Sequence, residues 1–399
     1  MLAISLLVNL GILGVFKYFD FFQAQFVQLF AAIGYEINPW SLKIILPVGI
    51  SFYTFQTLSY TIDVYKGNIK ATKKIIEFMA FVSFFPQLVA GPIERAKKLL
   101  PQFFHARKFN IEEAKDGLRQ MLWGFFKKVA IADNCATFVQ EVFDNPSDFS
   151  QISLVIGLFL FAFQIYCDFS GYSDIAIGCA KLFGFNLSKN FAFPYFSRDI
   201  GEFWRRWHIS LSSWFRDYLY IPLGGSKGNR LMQFRNVLVV FVVSGFWHGA
   251  NWTFIIWGLI HASLFIPLML LNTHRKHLNT VSPNRRLPGI REGLQMLSTF
   301  TLVCIAWIFF RAESLSHALQ YLDALISFDS TKISRLPGTT ILLLIGGLIV
   351  VEWINRKQEF GLVVSRLPTY QRWAIYYAIL AILWIVLPEN EVDFIYFQF

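Results

Sequence analysis

Charged side chains are scarce in this chain. Asp, Glu, Lys and Arg make up 16% of its 399 residues, where a soluble domain carries roughly 25%. That is too few to cover a water-facing surface. Cysteine is also sparse: Cys135, Cys167, Cys179 and Cys304 are scattered with no C-x-x-C pair, which indicates neither a disulfide framework nor a zinc site. The apolar residues 1–16 lack a basic n-region and a small-x-small cleavage signal, so they read as a membrane helix and not as a signal peptide. The glycine-rich stretch 224–228 is not a nucleotide P-loop, and no G-x-S-x-G nucleophile elbow occurs. No internal repeat is visible, which argues against a transporter built from inverted halves.

What the chain does have is apolar surface: 55% of its residues are hydrophobic and 44 are Phe. A bilayer core of roughly 30 Å needs about 20 helical residues. Apolar runs fall at about 2–16, 41–62, 75–93, 117–132, 152–167, 237–271, 297–310, 340–351 and 373–387. The expected fold is all-α, a polytopic integral membrane protein with about 8–11 transmembrane or re-entrant helices in one domain over 1–399.

The net charge of +10 sits in blocks between the apolar runs, the pattern of cytoplasmic loops and not of a nucleic-acid surface. Residues 181–235 hold nine basic and three acidic residues, 272–295 five and one, and 355–372 four and one. By contrast, 134–150 hold three acids and no Lys or Arg, 312–339 three acids and two basic residues, and the tail after 388 three acids and no base. Basic segments tend to stay inside, which places the first three segments in the cytoplasm and the others outside. The charge-free run 237–271 must then enter and leave on one side, as a re-entrant pair. Segment 75–93, flanked by basic stretches, is expected to dip in and return.

Three constellations carry candidate chemistry. In Ser244-Gly-Phe-Trp-His-Gly-Ala-Asn251, His248 lies at membrane depth, where a histidine is costly unless it faces a polar cavity. It is the side chain suited to moving a proton near neutral pH, and Asn251 is placed to donate to a developing oxyanion. The competing reading is a buried His bonded to a carbonyl. Around Asp199–Tyr220, five interfacial aromatics mix with Arg205, Arg206, Arg216 and His208. This reads as an amphipathic helix at the headgroups or as a mouth whose arginines attract a phosphorylated donor. In Tyr166-Cys-Asp-Phe-Ser-Gly-Tyr-Ser-Asp174, Asp168 could orient a histidine or line a polar cavity, while Ser173 or Asp174 suits the cap of a following helix. His261 reads as structural, and His105, His274, His277 and His317 as solvated.

These motifs closely resemble the membrane-bound O-acyltransferase family, in its bacterial branch that O-acetylates alginate or peptidoglycan. The resemblance rests on Asp168-Phe-Ser-Gly-Tyr-Ser-Asp174, Phe203-Trp-Arg-Arg-Trp-His-Ile-Ser-Leu-Ser212, Asp217-Tyr-Leu-Tyr-Ile-Pro-Leu-Gly-Gly225 and Ser244-Gly-Phe-Trp-His-Gly249. Pro47-Val-Gly-Ile-Ser-Phe-Tyr-Thr-Phe-Gln56, Phe85-Pro-Gln-Leu-Val-Ala-Gly-Pro92 and the closing Phe394-Ile-Tyr-Phe-Gln-Phe399 fit the same branch. The resemblance implies helices around an acyl-transfer tunnel, with His248 as the active-site histidine and His208 as a second histidine beside the tunnel. Trp247, Asp168, Arg205, Arg206 and Asn251 are the expected donor- and substrate-binding residues, with no metal. It further implies an O-acetyltransferase of the bacterial inner membrane with no bound cofactor. Acetyl-CoA would be the acyl-donor substrate, an extracytoplasmic polysaccharide the acceptor, and a periplasmic SGNH-type acetyltransferase a partner. D-alanyl transfer to teichoic acid, a proton-coupled transporter and a non-catalytic scaffold are the alternatives. Relative to that branch, peripheral N-terminal helices are expected to be absent.

Overall fold

A computed structural model describes residues 2–40, 47, 49–89, 91–327, 331–388, 392, 394 and 395. Among them the fold is helical, with one isolated bridge, Phe149 to Ile333, as the only β pairing. Five helices are long and apolar enough to cross a membrane. They are α1 (Leu2–Ala32), α4 (Gln151–Leu182), α7 (Arg230–His248), α8 (Trp252–Leu270) and α9 (Ile290–Arg311). Four more complete the bundle. α2 is Ile50–Tyr65. α3 runs through Ile111–Phe125, a π-helical stretch Phe126–Ala132 and Asp133–Asp144. α10 is Thr339–Ile354 and α11 is Thr369–Ile385. Two short helices, α5 (Ile200–Arg206) and α6 (Ile209–Phe215), lie between α4 and α7. The nine long helices among the described residues fall within the expected range. The start of the apolar run 41–62 (41–46 and 48), the acids 389, 391 and 393, and the last four residues of the closing motif lie outside the described residues.

Helix α4 is the central post, with most of its length buried. Its closest neighbour is α3, because glycines face each other across the pair. A Cβ at Gly124 would strike the carbonyl of Gly171, and one at Gly117 that of Gly178. Small residues at such spacing let two membrane helices approach backbone to backbone, where dispersion and polar contacts replace the missing hydrophobic drive. Polar groups lock the pair: Lys127 Nζ is 2.7 Å from Asp174 and donates to Ser170 Oγ, while Lys128 Nζ lies 2.8 Å from Asp168 and 2.7 Å from Asp133. Both lysines sit in the π-helical stretch of α3.

These pairs overturn the expected cap. Helix α4 runs unbroken through Ser173 and Asp174 to Leu182, so Asp174 is an interior ion-pair partner. Asp168 likewise does not orient a histidine. Its other oxygen accepts the amide of Ile395 at 2.7 Å, which ties the returning C-terminal segment to the core.

The segments sorted by charge meet as sorted. On one face Arg205 donates to the carbonyls of His274 and His277, Arg198 to that of Asn279, Arg356 to that of Ser282, and Lys189 to that of Gln358. The three basic segments are therefore in mutual contact. On the opposite face the amide of Ile333 donates to the carbonyl of Asp148 and Arg335 pairs with Glu141, so the two acidic segments also join.

The run 237–271 does begin and end on the basic face. Its two arms are nevertheless longer than a shallow re-entrant pair, because α7 starts seven residues earlier, at Arg230. Each arm has 19 residues, or about 28 Å at 1.5 Å per residue, close to the thickness of a bilayer core. Segment 75–93 breaks into two short helices, Ile75–Val82 and Phe85–Leu88.

Candidate functional site

The α7–α8 hairpin positions His248. The side chain is the last of α7 and is buried. Gly249 follows in extended conformation, and a Cβ there would overlap the Phe254 ring, so only glycine fits this turn. Asn251 then starts α8: its Oδ1 accepts from the Thr253 amide at 3.1 Å, and its Nδ2 donates to the Glu313 carbonyl at 2.7 Å. The amide thus caps α8 and pins the hairpin tip, and the second N–H of Nδ2 is its one donor beyond these bonds. The His248 ring lies among Trp247, Trp257 and Phe310, with centroids 4.9, 5.2 and 5.3 Å away. Trp247 stacks in turn on Phe55 at 5.2 Å.

The second histidine approaches from the loop between α5 and α6. His208 is fully buried and has φ of 44°, a left-handed conformation uncommon outside glycine that calls for support from its surroundings. Asn190 supplies that support. Its main-chain carbonyl accepts the Ile209 amide at 2.9 Å, and its Oδ1 accepts from Ser210 Oγ at 2.8 Å and lies 3.0 Å from His208 Nδ1. Its Nδ2 donates to Ser173 Oγ on α4. An amide oxygen can only accept, so this network assigns the His208 proton to Nδ1 and leaves a lone pair on Nε2. That nitrogen is buried without a hydrogen-bond partner. The His208 and His248 ring centroids are 6.5 Å apart.

Two cavities approach His248 from opposite faces. The first, about 400 Å³, opens on the basic face and is lined by Trp204, Arg205, Arg216, Arg275, Phe241 and Ser244. The second, about 550 Å³, opens on the acidic face and is lined by Lys17, Asp144, Gly249, Asn251, Arg311 and Glu313. Ser244 lies one helical turn before His248 and Gly249 directly after it. A chain of rings links the first cavity to the histidine: Trp204 to Trp257 at 5.7 Å, then Trp257 to His248 at 5.2 Å. His261 joins this seam 4.9 Å from both tryptophans. Neither of its ring nitrogens has a hydrogen-bond partner, and the indole N–H groups of Trp204 and Trp257 are also buried without one.

The two expected mouth arginines part company. Arg205 lines the basic-face cavity, with its guanidinium fixed by the carbonyls of His274 and His277. Arg206 turns inward: it pairs with the buried carboxylate of Glu202 at 2.8 Å and donates to the Ala192 carbonyl. Glu202 also binds Arg198. Burial alone would raise its pKa, and the two guanidinium groups hold it below the ordinary value instead. At the cavity mouth the companions of Arg205 are Arg216 and Arg275. His317 is not solvated as expected, since its Nε2 bonds the Phe143 carbonyl at 2.7 Å.

Sequence reasoning missed two residues. Lys17 lies in a π-helical stretch of α1, Gly14–Tyr18. Its Nζ donates to the carbonyls of Trp247 at 2.7 Å and His248 at 2.9 Å. A lone lysine within an apolar span was a legible signal, since such residues mark function by default. Asn190 carried no signal, because only the folded chain brings it to His208.

Comparison with known proteins gives the family. The profile of the membrane-bound O-acyltransferase family matches residues 68–310. The chain is 40% identical over 356 residues to the probable alginate O-acetylase AlgI of Pseudomonas aeruginosa, covering 88% of this chain and 65% of that protein. It is 38% identical over 362 residues to the peptidoglycan O-acetyltransferase of Helicobacter pylori, covering 84% and 66% respectively. The teichoic acid D-alanyltransferase of Streptococcus thermophilus is more distant, at 27% identity over 285 residues, 66% of this chain and 68% of that one. The chain thus spans just under two thirds of the length of the first two relatives. With a family match over more than half its residues and motifs gathered around one buried histidine, the chain belongs to the membrane-bound O-acyltransferase family.

Proposed function

We propose that the protein is a membrane O-acetyltransferase that passes an acetyl group from a cytoplasmic thioester, acetyl-CoA, to a hydroxyl presented from the other side of the membrane. The observation that carries this reading is a pair of cavities that end at Ser244 and at Gly249, on either side of buried His248, one rimmed by arginines and one polar. Arg205, Arg216 and Arg275 would hold the donor's phosphates, and the apolar lining beyond them suits the thioester arm. The hydroxyl enters from the acidic face. His248 removes its proton as oxygen attacks the thioester carbonyl. The C–O bond forms, the C–S bond breaks, and the thiolate takes the proton from the imidazolium. Neutral His208 presents a lone pair at Nε2, so it serves as a proton acceptor beside His248 and not as a donor to the oxyanion.

The acceptor would be an extracytoplasmic polysaccharide such as alginate or peptidoglycan, reached through a periplasmic SGNH-type transferase, with the protein in the bacterial inner membrane. The 40% and 38% identities to O-acetylating relatives, against 27% to the D-alanyl one, favour acetyl over D-alanyl.

The test is radiolabelled acetyl transfer from acetyl-CoA in membranes carrying this chain and its partner. His248→Ala at matched expression should lose at least ~10²-fold, the scale of a lost general base. Equal transfer by variant and wild type would refute the role of His248.

A further inference from the structure

A third cavity shares no lining residue with the two beside His248. It is about 420 Å³, lies between the first turns of α3 and α11, and is lined by Lys115, Leu118, Arg119, Leu122, Arg372 and Trp373, with Glu112 and Tyr376 at its edges. Ile379 is the one fully buried residue of α11 among those described, with Ile375 and Tyr376 partly buried against the core, and the groove runs beside the first half of the helix. The groove is two-sided in chemistry. Arg119, its side chain only 13% exposed, donates through Nε to Tyr376 Oη at 3.0 Å. Arg372 donates through an Nη to Thr369 Oγ1 at 3.0 Å, while its Nε is buried without a hydrogen-bond partner. Away from these guanidinium groups the walls are Leu118, Leu122 and Trp373, with Leu118 and Trp373 more than half exposed.

The negative groups nearby are already engaged. Glu112 pairs with Lys115 at 2.7 Å, and Asp116 pairs with Lys181 at 2.6 Å and stands 3.9 Å from Arg119. Counting Lys115, Arg119 and Arg372 against Glu112, the lining carries a net positive charge. It also lies where the basic segment 355–372 runs into a helix that opens with Tyr370, Trp373, Tyr376 and Tyr377, the aromatic signature of a membrane interface.

We infer that this groove between α3 and α11 binds an anionic glycerophospholipid, its phosphate on Arg119 and Arg372 and an acyl chain along Leu118, Leu122 and Trp373. A basic pocket between membrane helices on the cytoplasmic side is suited to such headgroups. A soluble phosphate would satisfy the guanidinium groups alone and leave the apolar walls uncovered. The lipid satisfies both.

The test uses the purified full chain in a neutral detergent, with bound lipid read by native mass spectrometry and stability by thermal unfolding. The probes are dioleoyl phosphatidylglycerol, dioleoyl phosphatidylcholine and glycerol 3-phosphate. Two cations near one phosphate should favour phosphatidylglycerol over phosphatidylcholine on the order of 10-fold or more, and phosphatidylglycerol should raise the Tm. Arg119→Gln combined with Arg372→Gln should abolish that preference, and Arg291→Gln, an exposed cation elsewhere, should leave it intact. Leu118→Trp fills the groove from an exposed position with every charge in place, so it tests the site even where the arginine variant fails to fold. It should displace the lipid. Equal retention of both lipids would overturn the inference. So would an unchanged preference in the arginine variant or in Leu118→Trp. Stabilisation by glycerol 3-phosphate equal to that by the lipid would reassign the groove to a soluble phosphate.

Discussion

Lys17 offers the sharpest test of the proposed chemistry, because it touches the backbone of His248 and not its ring. Replacing it by Met keeps the length and apolar bulk of the side chain and deletes the ammonium. Two charge-assisted hydrogen bonds disappear, to the carbonyls of Trp247 and His248 at 2.7 and 2.9 Å. These carbonyls belong to the last turn of α7, where no intrahelical donor is left and the helix dipole is negative. Each such bond is worth about 1.5–3 kcal/mol net. Removing a partly buried cation also relieves its desolvation cost, which offsets part of that loss. The net change in stability should therefore stay within about 2 kcal/mol.

Activity should respond far more. Without the ammonium, the last turn of α7 is free to shift, and a displacement of 1 Å at a catalytic group costs about 10²-fold. The expected result for Lys17→Met is a kcat lower by roughly 10- to 100-fold with little change in the KM for acetyl-CoA, because an interaction felt only at the transition state is lost. Transfer kinetics in membranes should be read alongside thermal unfolding of the purified protein. Wild-type turnover with Lys17→Met would refute the positioning role. A large fall in Tm that tracks the activity loss would show that Lys17 serves stability instead.

Four further outcomes follow from the same geometry. Arg275→Gln removes a cation at the basic-face cavity and should raise the KM for acetyl-CoA by roughly 10-fold, one charged hydrogen bond. Arg206→Gln should leave that KM unchanged and lower the Tm, because it strips one partner from buried Glu202, and steady-state kinetics on both variants separates the two roles. The carboxyl of Glu202, held below its ordinary value in the folded protein, contributes stability that is complete above the unfolded value. That contribution is lost as pH falls through the lower folded one. Unfolding followed from pH 6 downward should show acid destabilisation that is smaller in Glu202→Gln. Gly245→Ala would drive a methyl into the Phe254 carbonyl where α7 and α8 touch. Overpacking of this kind costs about 1–3 kcal/mol, and the loss should appear as a lower Tm with correspondingly less folded protein in the membrane.

The sequence by itself determined the class of the protein and the sidedness of its loops. Apolar runs and lysine–arginine blocks reflect the transfer energetics of single segments, which need no partner to be read. That is why the three basic segments grouped in advance do meet on one face. His248 was legible for the same reason, as one polar side chain in a charge-free run. The tertiary structure alone decided which polar groups are spoken for. Asn251 and Arg206 looked available in the sequence and Asp174 looked like a helix cap, yet each is committed to a partner 62, 4 or 47 positions away. Lys17 and Asn190 gained their places beside the two histidines from residues 231 and 18 positions distant. Hydrogen-bond commitment is a property of three-dimensional neighbours, so pattern and spacing could name the candidate residues and only the folded chain could say which of them remain free to act.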